Sequence, residues 1–167
     1  MRAVSPSGSR RRKGEGFPGQ RIVVLPRPVL AQAENHPLLR GLLPTDVGEF
    51  PAARGHWRQR PDGVAQAIFI FCAQGQGWCE IAGDRQEIHA GEILVIPPGV
   101  SHTYGAHEAC PWSIHWFHAQ GALLPDFLQA LEVGPGHLVF RLIETAQWLS
   151  LFEEVLTTLE HGYATEQ

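Results

Sequence analysis

Gly91-Glu92-Ile93-Leu94-Val95-Ile96-Pro97-Pro98-Gly99-Val100-Ser101-His102 is an apolar run held between two breaks. Ile93 to Ile96 has the β-branched, fully apolar character of a buried strand. Two prolines then end it, because neither can donate to a strand ladder and both fix φ. Gly91 is read as turning a hairpin, and Pro97-Pro98-Gly99 as a rigid corner that aims His102 inward. Working outward, short runs rich in Ile, Val, Phe and Trp recur from Val64 to Ala119. They are broken at Gly75-Gln76-Gly77, Gly83-Asp84, Ala90-Gly91-Glu92 and the proline corner. Breaks every ~8–12 residues mark an antiparallel sandwich or barrel. Gly83-Asp84, between Trp78–Ile81 and Gln86–His89, predicts a hairpin turn.

The period changes after Gly121. Pro125 to Leu131 predicts a short helical turn ended near Gly134-Pro135-Gly136. A long helix follows over residues 143–161. Its apolar positions Leu142, Ala146, Leu149, Phe152, Leu156 and Leu159 step by three and four, and Trp148, Leu151 and Val155 widen the stripe. Gly162 is placed to end it. Part of so wide a stripe is expected to pack on the barrel and the rest to meet a partner helix. The expected divisions are a disordered basic leader over 1–20, a barrel over 21–141 and a dimerisation and linker helix over 142–167.

The 167 residues and 18.5 kDa are one domain's worth. With 44% hydrophobic and 18% charged residues, the chain is neither a coiled-coil rod, a charged disordered chain nor a collagen-like fibre. The formal charge of −4 is uneven: residues 1–21 carry six cations against Glu15, and the remainder seven cations against sixteen acids. An acidic domain is poorly suited to gripping phosphates, whose binding depends on cations displacing counterions. The run Ser9-Arg10-Arg11-Arg12-Lys13-Gly14 has the charge to touch nucleic acid, but reads as a solvated leader. The longest apolar run, Ala67–Ala73, falls far short of the ~18 residues of a membrane span. Cys72, Cys79 and Cys110 form no C-x-x-C pair, which points to a reducing, cytoplasmic setting.

The opening run matches the second cupin motif, G-x5-P-x-G-x2-H. The frame of the first, G-x5-H-x-H-x3–4-E-x6-G, fits Gly55 to Gly75, yet its metal-ligand positions hold Pro61, Gly63 and Ile68, and the later ligand position holds Ala106. A transition metal needs three or four converging ligands, and His102 alone remains. His115 with His118, and His102 with His107, are separated by odd numbers and so face opposite sides of a strand. No metal and no other cofactor is expected.

Five further segments resemble the N-terminal ligand-binding domain of the bacterial AraC-type transcriptional regulators. They are Arg58–Gly63, Gly75–Gly77, Pro97–Tyr104, Pro111–Gly121 and Leu151–Tyr163. Ala119 departs from an aromatic position of the fourth. The resemblance implies a mainly β fold, a cupin-type double-stranded β-helix (jelly-roll) barrel with C-terminal helices. It implies a small-molecule effector inside the barrel, a homodimer, and DNA contacted through a helix-turn-helix domain expected beyond Gln167. No membrane is implied. By the same resemblance Arg60, Tyr104 and Trp116 line a sugar pocket, with Thr45 and Asp46 near another contact position. His102 joins them on the face of Tyr104. Ile114 stands where the arabinose regulators have a polar histidine, and with Ile68 and Ile70 makes the wall apolar. Along the last strand Trp112, Ile114, Trp116 and His118 share one face. Dimerisation is expected through Leu142, Leu149, Phe152, Leu156 and Leu159. The resulting expectation is a non-enzymatic sensor of a sugar or sugar-acid-like metabolite. The alternatives are a metal-free cupin epimerase or isomerase, with His102 as base and Tyr104 as acid, or a stand-alone binding cupin.

Overall fold

The computed structural model describes residues 11–162. The first half of the expected leader, residues 1–10, lies outside the described residues, as does Tyr163. Ten strands are formed among the described residues: β1 (Arg21–Val24), β2 (Leu43–Phe50), β3 (Trp57–Arg60), β4 (Ala67–Gln74), β5 (Gln76–Ile81), β6 (Asp84–His89), β7 (Glu92–Ile96), β8 (His102–Ala106), β9 (Ser113–Gln120) and β10 (Val139–Arg141). Three helices accompany them: α1 (Arg27–Asn35), α2 (Leu124–Ala130) and α3 (Thr145–His161). The strands make a six-stranded sheet, ordered β1-β2-β9-β4-β7-β10, and a four-stranded sheet, ordered β3-β8-β5-β6. Every named pairing is antiparallel. The two sheets face each other as the expected mainly β cupin barrel, with α3 on the outside of the larger one.

Side-chain alternation builds the two layers of core. Ile68, Ile70 and Cys72 of β4, Leu94 and Ile96 of β7 and Ile114 of β9 point between the sheets, where Trp112, Cys79 and Ile88 meet them. Phe69 and Phe71, Ile93 and Val95, and Phe117 point the other way, toward the helices. Gly77, expected to sit in a break, lies inside β5. A Cβ there would stand 1.9 Å from the Trp112 ring, so glycine is what lets the largest buried side chain close the core.

Gly91 does not turn a hairpin. β6 and β7 belong to different sheets, so Ala90-Gly91 carries the chain across the barrel, held by the Gly91 amide donating to the Cys72 carbonyl at 2.8 Å. Pro97-Pro98-Gly99 carries it back, with the Gly99 amide on the Val64 carbonyl at 2.7 Å. The expected hairpin at 83–84 forms, with Ala82 (φ 52°) and Gly83 (φ 81°) as its turn residues. Two successive positive φ values are the geometry of a type I′ turn.

The leader is ordered from its second half onward. Lys13 pairs with His56 as a bridge, its amide donating to the Gly55 carbonyl at 3.0 Å and its carbonyl accepting from Trp57 at 2.9 Å. Phe17 is buried against Phe50 and His56, because an aromatic ring gains more from the barrel end than from water.

Helix α3 runs within two residues of the expected 143–161, but its apolar stripe is spent on its own barrel. Phe152 and Leu156 are buried against Val23 and Val47, with Leu159 beside them. Leu142 and Leu149 pack on Phe71, Ile93 and Val95. All five residues expected to meet a partner therefore seat the helix. Leu151 and Val155 are the large apolar side chains it leaves exposed. Arg21 clasps the helix from β1, donating to Glu153 at 2.9 Å and Glu160 at 2.7 Å. These bonds hold the Arg21 cation above its ordinary pKa and both carboxyls below theirs.

Candidate functional site

Between the sheets a cavity of about 160 Å³ opens near the N-terminal segment. Its polar side comes from two strands. Arg58 and Arg60 alternate inward on β3, and β8 brings Tyr104 opposite, with Arg60 Nη1 donating to the Tyr104 hydroxyl at 3.0 Å. Its other wall is the inner face of the larger sheet: Ile22, Phe50, Ile68, Ile70, Ile114 and Trp116. Gly14 and Glu15 of the N-terminal segment complete it. The geometry thus brings Arg60, Tyr104, Ile114, Trp116, Ile68 and Ile70 around one space.

His102 is not with them. It is 3% exposed and stacks behind Tyr104, the rings 5.7 Å apart and nearly parallel. Its Nδ1 lies 2.7 Å from the Val100 carbonyl and must donate there, which leaves Nε2 as a bare acceptor, buried and without a partner. Burial lowers its pKa, against the opposing pull of the carbonyl, so the ring is neutral.

Sequence reasoning placed His118 on the pocket face and Asp46 near a contact position, but not together. Asp46 Oδ2 stands 2.8 Å from His118 Nδ1 at the cavity wall, and Thr45 donates to its other oxygen at 2.5 Å. Burial alone would raise the Asp46 carboxyl; the bonds from His118 and Thr45 outweigh it and hold the pKa below the usual value. Strand alternation gave His118 its face, whereas its pairing to Asp46 depends on the β2–β9 register across a bulge between Pro44 and Asp46.

His56 is the second residue missed. Phe17, Phe50, Tyr104 and Trp112 surround it, and its Nδ1 accepts from Trp112 Nε1 at 3.1 Å. Burial, helped by the nearby Arg58 and Arg60 charges, pushes its pKa down to about 3. It lines the cavity as a neutral imidazole. Trp116 brings a buried indole N–H without a partner to the same wall. A space with one unpartnered indole donor, two arginines and a flat apolar wall suits a small polar molecule. Among the described residues no cluster of three or more His, Cys, Asp or Glu is arranged to hold a metal ion.

Barrel and cavity together define a small-molecule-binding cupin. The chain belongs to the AraC-like ligand binding domain family, whose sequence model matches residues 48–167. The MmsAB operon regulatory protein of Pseudomonas aeruginosa is 35% identical over 151 residues, covering 83% of this chain and 46% of that protein. The arabinose operon regulatory protein of Escherichia coli is 31% identical over 100 residues, covering 53% of this chain and 33% of that protein. The chain therefore spans about half, or less, of the curated relatives it matches. Among solved structures, a cupin 2 conserved barrel domain protein from Salinispora arenicola superposes with a TM-score of 0.43 at 14% identity, covering 78% of this chain and 98% of that one. No helix among the described residues is long and apolar enough to cross a membrane.

Proposed function

We propose that this chain is the effector-binding and dimerisation part of an AraC-type transcriptional regulator. The effector is a sugar or sugar-acid-like metabolite held between Arg60, Tyr104 and Trp116. The observation that carries this is the cavity itself. At about 160 Å³ it is of the size that takes a single small ring, since a ~150 Å³ cavity accommodates benzene. Its guanidinium and hydroxyl suit oxygen-rich or carboxylate groups, and its indole suits a sugar's apolar face. Binding moves the N-terminal segment or α3 by preferring one of two arrangements. DNA is met through a helix-turn-helix domain outside this chain.

A melting-temperature panel of sugars, sugar acids and divalent metals tests this. A ligand at about 100 times its Kd stabilises by ~2.7 kcal/mol. Arg60→Ala and Trp116→Ala are expected to abolish the shift, Arg60→Ala with the ligand-free melt nearly unchanged and Trp116→Ala with a lowered one, because Trp116 also packs on the core. Retained binding in both would move the site elsewhere, and stabilisation by iron or manganese alone would overturn the metal-free reading.

One observation favours the second reading, a metal-free epimerase or isomerase. The Asp46–His118 pair beside Arg60 and Tyr104 is the arrangement a general base needs. Turnover of a bound sugar, lost in His118→Gln, would establish it over the sensor.

A further inference from the structure

A second concave site lies on the outer face of the small sheet; it shares His56 with the effector cavity and differs from it in its other lining residues. Trp57 on β3 and Trp78 on β5 are both paired with Gly105 of β8, one on each side. Having no side chain, Gly105 leaves a trough between them; a Cβ there would press on the His56 carbonyl at 2.8 Å and on the Trp78 ring at 3.3 Å. The trough opens into a groove of about 440 Å³ whose rim carries Arg12, Arg54, Arg85 and His107. Arg12 lies over the Trp57 ring at 5.0 Å, and Arg85 over the Trp78 ring at 4.2 Å. Arg85 is held by Glu87 at 3.0 Å, whereas among the described residues neither Arg12 nor Arg54 is paired with a carboxylate. His107 adds a buried Nδ1 with no partner.

Three arginines beside two indoles are out of keeping with a chain body that is strongly acidic. We propose that this groove binds a nucleoside monophosphate, its base stacked on the tryptophan–arginine surface and its phosphate held by Arg12 and Arg54. Indoles stack bases through their π faces, and a guanidinium offers phosphate two parallel donors. The volume is in the usual range for a small-ligand site, roughly 300–1,000 Å³. A single nucleotide fits better than a strand of nucleic acid, because Glu87 on β6 is paired directly with Trp78, Glu80 lies two residues further along β5, and Glu108 lines one side of the groove. A polyanion running along the sheet would meet those carboxylates, while a compact ligand meets the arginines. Arg12, from the basic run that the effector site leaves without a role, thereby supplies a phosphate contact.

The test is titration of the full 167-residue chain with AMP, followed by tryptophan fluorescence and calorimetry. The expected result is saturable binding of one AMP per chain, at least about tenfold tighter than inorganic phosphate or adenosine alone. Arg54→Ala changes an exposed side chain, so the fold is kept and its melt unchanged. This variant and Trp57→Ala should each weaken AMP by about tenfold or more. Arg60→Ala, in the barrel cavity, should leave AMP binding intact, which separates this site from the effector site. Absence of saturation by millimolar AMP would overturn the proposal, and so would loss of binding in Arg60→Ala with retention in Arg54→Ala. Tighter, steeply salt-dependent binding of an oligothymidylate would likewise replace it with a polyanion surface.

Discussion

His56 shows how much one side chain can reveal about its surroundings. It is 4% exposed, bonded to the Trp112 indole, and its pKa falls to about 3 through burial and the two nearby arginines. The unfolded chain takes up this proton below pH ~6.5, and the folded chain does not until about pH 3. Stability from the neutral ring is therefore complete above pH ~6.5 and is lost as pH falls through the window down to about 3, at ~1.4 kcal/mol per unit. Urea unfolding at pH 7 and pH 5 is expected to show the wild type losing roughly 2 kcal/mol more than His56→Gln. His102 and His115 are depressed in the same direction by burial, but both remain in the variant and cancel. An equal loss in the two proteins would mean that His56 titrates normally. His56 was invisible in the sequence because its cage is assembled from Phe17, Phe50, Tyr104 and Trp112, which come from four separate segments. Arg60, Tyr104 and Trp116 were legible through the resemblance to the AraC-type domain, and the structure brings them around one space. His102 obeyed the strand alternation, yet stands behind Tyr104, since sharing a face does not settle which residue reaches the cavity.

At the scale of elements, α3 was legible in its extent and in packing part of its stripe on the barrel, but not in which of its residues do so. Periodicity finds an apolar stripe but cannot say which surface covers it. Here the outer face of the larger sheet is itself apolar, through Val23, Val47, Phe69, Phe71 and Phe117, and lies within reach. Leu156 has no exposed surface, so Leu156→Ala is expected to cost about 2–4 kcal/mol in urea unfolding. Leu151→Ala, half exposed on the same helix, should stay within about 0.5 kcal/mol. Similar losses from both would mean the helix is docked in another rotation. The Ala90-Gly91 crossing is a related lesson. Turn chemistry announces a change of direction, but not whether the next strand joins the same sheet, because that depends on long-range pairing of β7 with β4 and β10.

For the whole molecule, the barrel was readable from break spacing and the proline corner, and its layers follow from alternation. Dimerisation is now expected from what the folded barrel leaves uncovered. Leu151 and Val155 border an apolar groove of about 360 Å³ that also includes Leu42, Phe127 and Leu131. A second copy placing its own α3 there would cover all five. Sedimentation of Leu151→Glu with Val155→Glu is expected to give a monomer that still unfolds cooperatively, at a melting temperature no longer dependent on protein concentration, whereas a persisting dimer would put the interface elsewhere.

Inner and outer residues alternate without exception along β1, β4 and β9. Ile22, Ile68, Ile70, Ile114, Trp116 and His118 look into the cavity, while Arg21, Val23, Phe69, Phe71, His115 and Phe117 look toward the helices. The same strands thus keep two independent registers of information. Drift in the inward set can change what is recognised while the outward set continues to hold α3 in place. A lineage built on this wall can acquire new chemical tastes without rebuilding its architecture.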